Sequence, residues 1–452
     1  MTTPTLALST ILYQSSRCLA QVESGHSLTG ALVQTPRHMR GATQAIAWYA
    51  MRHWGLARAW RSHLLAKHPN KPWLAAHIAL SLLLLDAAMM ADDPELTRSW
   101  QAPLDEDCPT YTPYTLVDQA VQAVSMAKLG KPASGLVNAV MRRFQRERAA
   151  CVMAVQDDPV AQWRYPRWWV DKIRKHYPAQ WQDILGASRK RARLVLRVNR
   201  RQATVAQVVH AFTEAGVQAT PIGEHALALP SSVVVDTLPG FNEGWWSVQD
   251  WSAQQAAGLL DLQDNQRVLD ACAAPGGKTA HVLEIANVEL TAIDQDASRL
   301  ARVEENLTRL KLMSSHVRLQ VADATRPADW FDGQPYDRIL ADVPCTASGV
   351  VRRHPDIAWL RRESDLAQTV KLQTQILDAL WELLAPEGIL LLVTCSVFPE
   401  EGEQQALAFV QRHRDALRLE APGQCLPQAS LGSHTGQDGF FYAKFQRKPN
   451  GT

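Results

Sequence analysis

The chain has 452 residues, of which 46 % are hydrophobic and 20 % charged, and a formal net charge of +2. That composition excludes a disordered, collagen-like or coiled-coil chain, and at roughly 100–200 residues per domain the length predicts two to four domains. The seven cysteines (Cys18, Cys108, Cys151, Cys272, Cys345, Cys395, Cys425) are odd in number, widely spread and free of any C-x-x-C pair, which argues against a secreted disulfide framework and a structural zinc site.

No charged segment precedes Arg17, so a secretory signal is not expected. The longest apolar stretch, Ile78 to Ala91, is broken by Ser81 and Asp86 and is too short to span a bilayer. A soluble, cytoplasmic protein with no membrane partner is expected. Through residue 152 apolar residues recur at helical spacing: Ile46, Tyr49, Ala50 and Trp54, then Leu74 to Met90, Leu116 to Met126, and Leu136, Val137, Val140 and Met141. Asp92, Asp93 and Pro94, and the run from Pro103 to Pro113, read as loops. Residues 1–152 are therefore expected to form an all-α bundle.

From 153 to 245 the character changes. Trp163, Tyr165, Trp168 and Trp169 interleave with Arg164 and Arg167. A strand at Leu194–Asn199, a helix near Val205–Ala215, and strands at Leu227–Leu229 and Val233–Val235 predict a small α/β module. Between Ala161 and Arg201 twelve basic residues face only Asp171 and Asp183, a local charge of +10 that leaves −8 for the rest of the chain. Aromatic and Arg faces suit unpaired bases and phosphates; equally, the Trp residues can be core and the Arg residues a solvated rim. Arg164, Arg167 and Arg197 are the candidate RNA contacts of this stretch.

Residues 246–447 alternate short apolar strands (Val268–Cys272, Leu290–Asp294, Val317–Asp323, Arg338–Val343, Ile389–Cys395) with helices (Lys278–Ile285, Ala297–Leu310, Leu366–Leu384). That alternation predicts a doubly wound, mostly parallel α/β sheet, which binds ligands outside the carboxyl ends of its strands. The first strand runs into Cys272, Ala273, Ala274, Pro275, Gly276, Gly277 and Lys278. Small residues there admit a ligand close to the backbone, beside the N–H groups of the next helix. A phosphate loop would need Gly at 272, and no G-x-G-x-x-G is present. The next strands end in Asp294, suited to ribose hydroxyls, Asp323, suited to an adenine amino group, and Asp342. A lone strand-terminal Asp often only caps a helix. Three in order fit an adenosine-type cofactor, and without a triphosphate loop the fit is to S-adenosylmethionine. No metal is expected.

Cys345 and Cys395 close consecutive strands and so face the same crevice. Carbon 5 of cytosine is too weak a nucleophile to take a sulfonium methyl. Thiolate addition at carbon 6 makes it enamine-like, an acid at nitrogen 3 stabilises the adduct, and a base then removes the carbon-5 proton. Two Cys and one Asp beside a methyl donor match that chemistry.

The segments DACAAPGGKT, ADVPCTASGVVRRHPDIAWLRR and LLVTCSVFPEEGE resemble the RNA (cytosine-5) methyltransferases of the Sun/RsmB/NOP type, and Phe241–Asp250 resembles that family's approach to its catalytic domain. The region around Ser27-Leu28 and Gly135–Arg142 resembles the NusB-like RNA-binding domain fused to it. The resemblance implies a Rossmann-like methyltransferase domain, S-adenosylmethionine as methyl donor and small-subunit 16S rRNA as partner, with no obligatory protein partner. It implies Cys395 as nucleophile, Cys345 in product release, Asp342 at nitrogen 3, and Cys272–Lys278 with Asp294, Asp323 and Asp342 around the cofactor. Enzymes that methylate DNA cytosine use the Pro-Cys cysteine instead, so the choice of Cys395 rests on the family. Lys278 can approach cofactor or base, or be a solvated first-turn residue. Arg352, Arg353 and His354 can hold RNA phosphates or simply be surface charge. Rival readings are a tRNA or 23S rRNA cytosine-C5 methyltransferase, a non-catalytic RNA-binding assembly factor, and a small-molecule methyltransferase. Two cysteines disfavour the scaffold, and the +10 segment the small-molecule enzyme.

Overall fold

The computed structural model describes residues 6–93, 108–230, 233–431 and 434–449. The expected loop at Pro94 and the 103–107 part of the expected Pro103–Pro113 loop lie outside the described residues; Pro113 itself opens a helix, Pro113–Met126. The chain divides into two compact units, Met1–Lys190 with His354–Arg362, and Arg191–Arg353 with Glu363–Thr452.

The first unit is helical, as its periodicity predicted. Its centre is the helix Pro72–Asp92, started by a proline at its first turn and apolar all round. Among the described residues it is the one helix long and apolar enough to cross a membrane, and it is packed into the core of the unit with Leu12, Trp60, Val117 and Phe144. Asp86, which interrupts the apolar run, is buried and accepts a 2.6 Å hydrogen bond from the buried Arg148. His77 is wholly buried between the Ser16 hydroxyl and the Ala120 carbonyl, each 2.9 Å away, and burial pushes its pKa down to about 4.

Helices do not stop at residue 152. Pro159–Trp163, Arg167–His176 and Trp181–Ala187 belong to the same unit, because Ala161 joins the bundle core and Tyr165, Trp169 and Ile173 are buried. A short helix from a distant part of the chain, Ile357–Leu360, also belongs here. Its Trp359 and Leu360 pack on the bundle core, and Asp356 Oδ2 accepts the Leu28 N–H at 2.8 Å.

The second unit begins with four antiparallel strands, β1 (Leu194–Val198), β2 (Thr220–Ile222), β3 (Ala226–Leu229) and β4 (Trp246–Val248), in the order β2-β3-β1-β4. The helix Val205–Glu214 starts with a Thr204/Gln207 capping box and presses Val208 and Phe212 onto Leu196, Leu227 and Trp246. The strand expected at Val233–Val235 does not form: Val233 and Val234 are irregular and Val235 opens a 3-10 turn, Val235–Thr237.

The larger sheet contains β5 (Arg267–Asp270), β6 (Glu289–Asp294), β7 (Val317–Val321), β8 (Tyr336–Asp342), β9 (Leu384–Thr394) and β10 (Ala416–Cys425). After a minor ladder of β11 (Ser430–Leu431) and β12 (His434–Thr435), β13 (Phe440–Arg447) completes it. The order is β10-β13-β9-β8-β5-β6-β7. The strands β5 to β9 pair in parallel, as expected; β13 inserts antiparallel beside β9, and β10 forms the edge. Leu340, Leu391 and Val393 are fully buried, as the strands of a sheet covered on both faces must be. Strand order reverses between β5 and β8, and the crevice at such a switch point is where these sheets bind ligands.

Candidate active site

Register aligns the strand ends. Asp270 of β5 pairs with Leu340 of β8, Asp342 of β8 with Val393 of β9, and Asp294 of β6 with Val321 of β7. The segments that follow therefore emerge side by side.

The turn after β5 is built from small residues. Gly276 has φ +96°, a left-handed backbone that strains a residue bearing Cβ, and a Cβ there would meet Val303 at 3.1 Å. The helix Gly277–Ile285 begins directly after it. Asp294 is buried; one carboxylate oxygen accepts the Ala274 N–H at 3.3 Å and the other accepts the Asp296 N–H at 3.0 Å. Asp323 lies just past β7 and is exposed. Asp270 is buried, with Oδ2 accepting from the Thr279 hydroxyl at 2.7 Å and Oδ1 unpartnered among the described residues. Burial pushes its pKa up to about 7. Burial, with Asp342, Asp270 and Asp294 nearby, also raises the Cys272 thiol well above its ordinary value, so Cys272 is a poor candidate for a thiolate. A turn of small residues, a helix N-terminus and strand-terminal carboxylates fit an adenosyl ligand.

The two cysteines meet. Cys345, after β8, and Cys395, after β9, are half-buried with their Sγ atoms 3.4 Å apart. The hydrogen bond to Cys395, then burial, then the electrostatic influence of Cys395 and Glu401 hold the Cys345 pKa well above that of an ordinary thiol. Lys278 reaches from the first turn of its helix to Asp342, Nζ to Oδ2 being 2.5 Å, and lies 5.5 Å over the Phe440 ring. Burial alone would lower the Lys278 pKa, but the Asp342 charge and hydrogen bond outweigh it and the net shift is upward.

Several expected RNA contacts are not free to make them. Arg197 is wholly buried: Nε and Nη2 donate to the two carboxylate oxygens of Glu284 at 2.8 Å each, and Nη1 donates to the Gly277 carbonyl at 2.8 Å and to Gln249. Arg352 is buried on Asp438, with Nε 3.2 Å from Oδ1. Arg353 is half-buried and joins Asp438 Oδ2 to Asp250 Oδ2 at 2.6 and 2.5 Å. These three hold the second unit together, because buried carboxylates need cationic partners. Arg164 is buried in the first unit with Tyr165 and Trp169. Arg167 and His354 are exposed, Arg167 pairing with Asp171 at 3.1 Å. Sequence reasoning missed Glu401, Ser396 and Thr346, which lie behind the cysteines, and Phe440. Glu401 stands in the quoted LLVTCSVFPEEGE segment, but nothing in its spacing marks it as buried.

Fold and site together define a methyltransferase of the Rossmann-like class. Residues 257–446 match the family described as 16S rRNA methyltransferase RsmB/F, and residues 165–236 match the RsmF/B-like ferredoxin-like domain. A "Ribosomal RNA small subunit methyltransferase B" from Yersinia pestis is 42 % identical over 346 residues, 74 % of this chain and 78 % of the relative. The chain belongs to the RsmB/F family of S-adenosylmethionine-dependent 16S rRNA methyltransferases. The crystal structure of PH0851 shares the fold over 96 % of this chain and 99 % of its own, with TM-score 0.73 and 22 % identity. A methyltransferase homolog protein from Pyrococcus horikoshii covers 64 % of this chain and 98 % of its own, with TM-score 0.54 and 25 % identity.

Proposed function

We propose that this enzyme methylates carbon 5 of a cytosine in 16S rRNA through a covalent adduct between Cys395 and carbon 6 of the base. The observation that carries the reading is the pair of thiols 3.4 Å apart at adjacent strand ends, beside the Lys278–Asp342 pair. Cys272 to Lys278, with Asp294, Asp323 and Asp342, hold S-adenosylmethionine, which supplies an electrophilic methyl group when bound.

The residues divide the work. Cys345 donates its S–H to the Cys395 sulfur and so stabilises the thiolate that attacks carbon 6. Asp342 faces nitrogen 3, and the proton that neutralises the ring there comes from the Lys278–Asp342 pair. Once carbon 5 carries its methyl group, solvent water takes the carbon-5 proton, the carbon 6–sulfur bond breaks, and nitrogen 3 returns its proton to the Lys278–Asp342 pair. Cys395 leaves as a thiolate, and the same Cys345 S–H stabilises it, which is why Cys345 acts in release. Of the expected RNA contacts, Arg167 and His354 are the exposed ones, and rRNA phosphates would meet them there.

Bisulfite sequencing of 16S rRNA, treated with the enzyme or taken from a strain lacking it, tests the reading. One cytosine should resist conversion only when active enzyme is present. Complete conversion of every cytosine in treated rRNA would refute carbon-5 methylation.

A further inference from the structure

Behind the two thiols lies a buried polar cluster that the reaction does not use. Glu401, in the 3-10 turn Pro399–Glu401, has no exposed surface. Its Oε1 accepts the Thr346 N–H at 2.8 Å and the Gln373 side-chain amide at 3.3 Å. Its Oε2 accepts the Thr346 hydroxyl at 2.5 Å and the Ser396 hydroxyl at 2.6 Å. Thr346 directly follows Cys345, and Ser396 directly follows Cys395. One carboxylate is therefore hydrogen-bonded to the neighbour of each cysteine, on two loops that leave different strands.

Further bonds stiffen the arrangement. The Ser396 hydroxyl accepts the Phe398 N–H at 3.0 Å and lies 2.9 Å from the Ser348 hydroxyl. Gln373 also donates to the Pro344 carbonyl at 2.9 Å, and the Gly349 N–H to the Cys395 carbonyl at 2.9 Å. Burying a carboxylate is costly unless donors surround it. Charge-assisted hydrogen bonds are also the strong ones, so the cluster makes a stiff bracket.

We propose that Glu401 is the positioning residue of this site: its buried carboxylate pins the loop after β8 to the loop after β9 and so fixes the two thiols within hydrogen-bond range. The proposal rests on the two-cysteine reading above. It acts through geometry and through charge. The negative carboxylate is one of the groups that keep Cys345 protonated, and a protonated Cys345 is the form that donates to the Cys395 sulfur.

The test uses the full chain carrying Glu401→Gln, nearly isosteric but neutral and able to accept on one side only. Three quantities are read: S-adenosylmethionine affinity by calorimetry, single-turnover methyl transfer to 16S rRNA, and the pH profile of Cys345 alkylation by iodoacetamide, read by peptide mass spectrometry. The expected result is unchanged cofactor affinity, a transfer rate lower by on the order of 100-fold, as misplaced reacting groups show, and Cys345 alkylation at lower pH. Ser396→Ala and Thr346→Val each remove one donor while leaving the charge, and should slow transfer without changing cofactor affinity. They keep the proposal open to refutation if Glu401→Gln does not fold. Wild-type transfer rates in the folded variants, an unmoved alkylation profile in Glu401→Gln, or cofactor affinity falling in step with rate would overturn it. A Cys345→Ala control separates the two claims. If it traps no protein–RNA adduct, the two-cysteine reading fails; if it traps one while Glu401→Gln behaves as wild type, only the bracket fails.

Discussion

Arg197 is the sharpest place to separate a structural cation from an RNA contact. It lies in the most basic stretch of the chain, yet it is wholly buried against Glu284, whose side chain is only 1 % exposed. Arg197→Ala removes two 2.8 Å bonds to that carboxylate, a third to the Gly277 carbonyl and a fourth to Gln249. It leaves Glu284 buried without its cation, a change that costs about 3–5 kcal/mol. With a urea m-value of about 3 kcal/mol/M, the unfolding midpoint of the second unit should fall by about 1–2 M. Replacing both partners, Arg197→Met with Glu284→Leu, should recover much of the loss, because well-packed apolar pairs often match buried ion pairs. The Gly277 carbonyl would still lack its donor, a residual cost of about 1–3 kcal/mol. Urea titration followed by far-UV circular dichroism gives the midpoints, and filter binding gives the rRNA affinity of the folded protein. If Arg197→Ala unfolds at the wild-type midpoint but binds rRNA more weakly, the structural role is refuted.

His77 should stay neutral well below the usual histidine range. An unfolded histidine takes its proton near pH 6.5 and this one near 4, so the helical unit holds its full stability above 6.5 and loses about 3 kcal/mol as pH falls from 6.5 through 4. The imidazole nitrogen shifts at pH 5 should be those of a neutral ring, and titration near 6.5 would contradict the burial argument. Lys278→Met removes the cation 2.5 Å from Asp342. Single-turnover methyl transfer at saturating S-adenosylmethionine should drop ~100-fold or more, the contribution typical of a group that handles a proton. Wild-type transfer would remove Lys278 from the proton path. Cys272→Ser, at saturating S-adenosylmethionine, should leave methyl transfer near the wild-type rate, because the Cys272 thiol is held protonated by burial and three nearby carboxylates; loss of transfer at saturating cofactor would make Cys272 a reacting group.

The site was legible where chemistry follows an apolar run. Buried parallel strands read as continuous apolar segments, so Asp294, Asp342, Cys345 and Cys395 stood out at their ends. Pairing of β8 with β9 then brings the two thiols together, a proximity that no linear spacing encodes across fifty residues. The basic stretch misled for a physical reason. In Leu194-Val195-Leu196-Arg197-Val198, strand alternation places Arg197 on the face of Val195, which is buried. An Arg inside such an apolar strand marks a buried carboxylate partner, here 87 residues away, rather than solvent. The helical unit outran its expected end because Tyr165 and Trp169, read as possible stacking platforms, are core. The strand β13 escaped notice because it pairs antiparallel, outside the strand–helix alternation that revealed the others.

Mapping the covalent link tests the central claim most directly. Cys345→Ala enzyme is incubated with 16S rRNA and S-adenosylmethionine, denatured, digested with protease and nuclease, and the cross-linked peptide sequenced by mass spectrometry. The account predicts a 5-methylcytidine nucleotide attached to Cys395, and no adduct when Cys395→Ala is added. A nucleotide attached elsewhere, or methylation at full rate in Cys395→Ala, would contradict it.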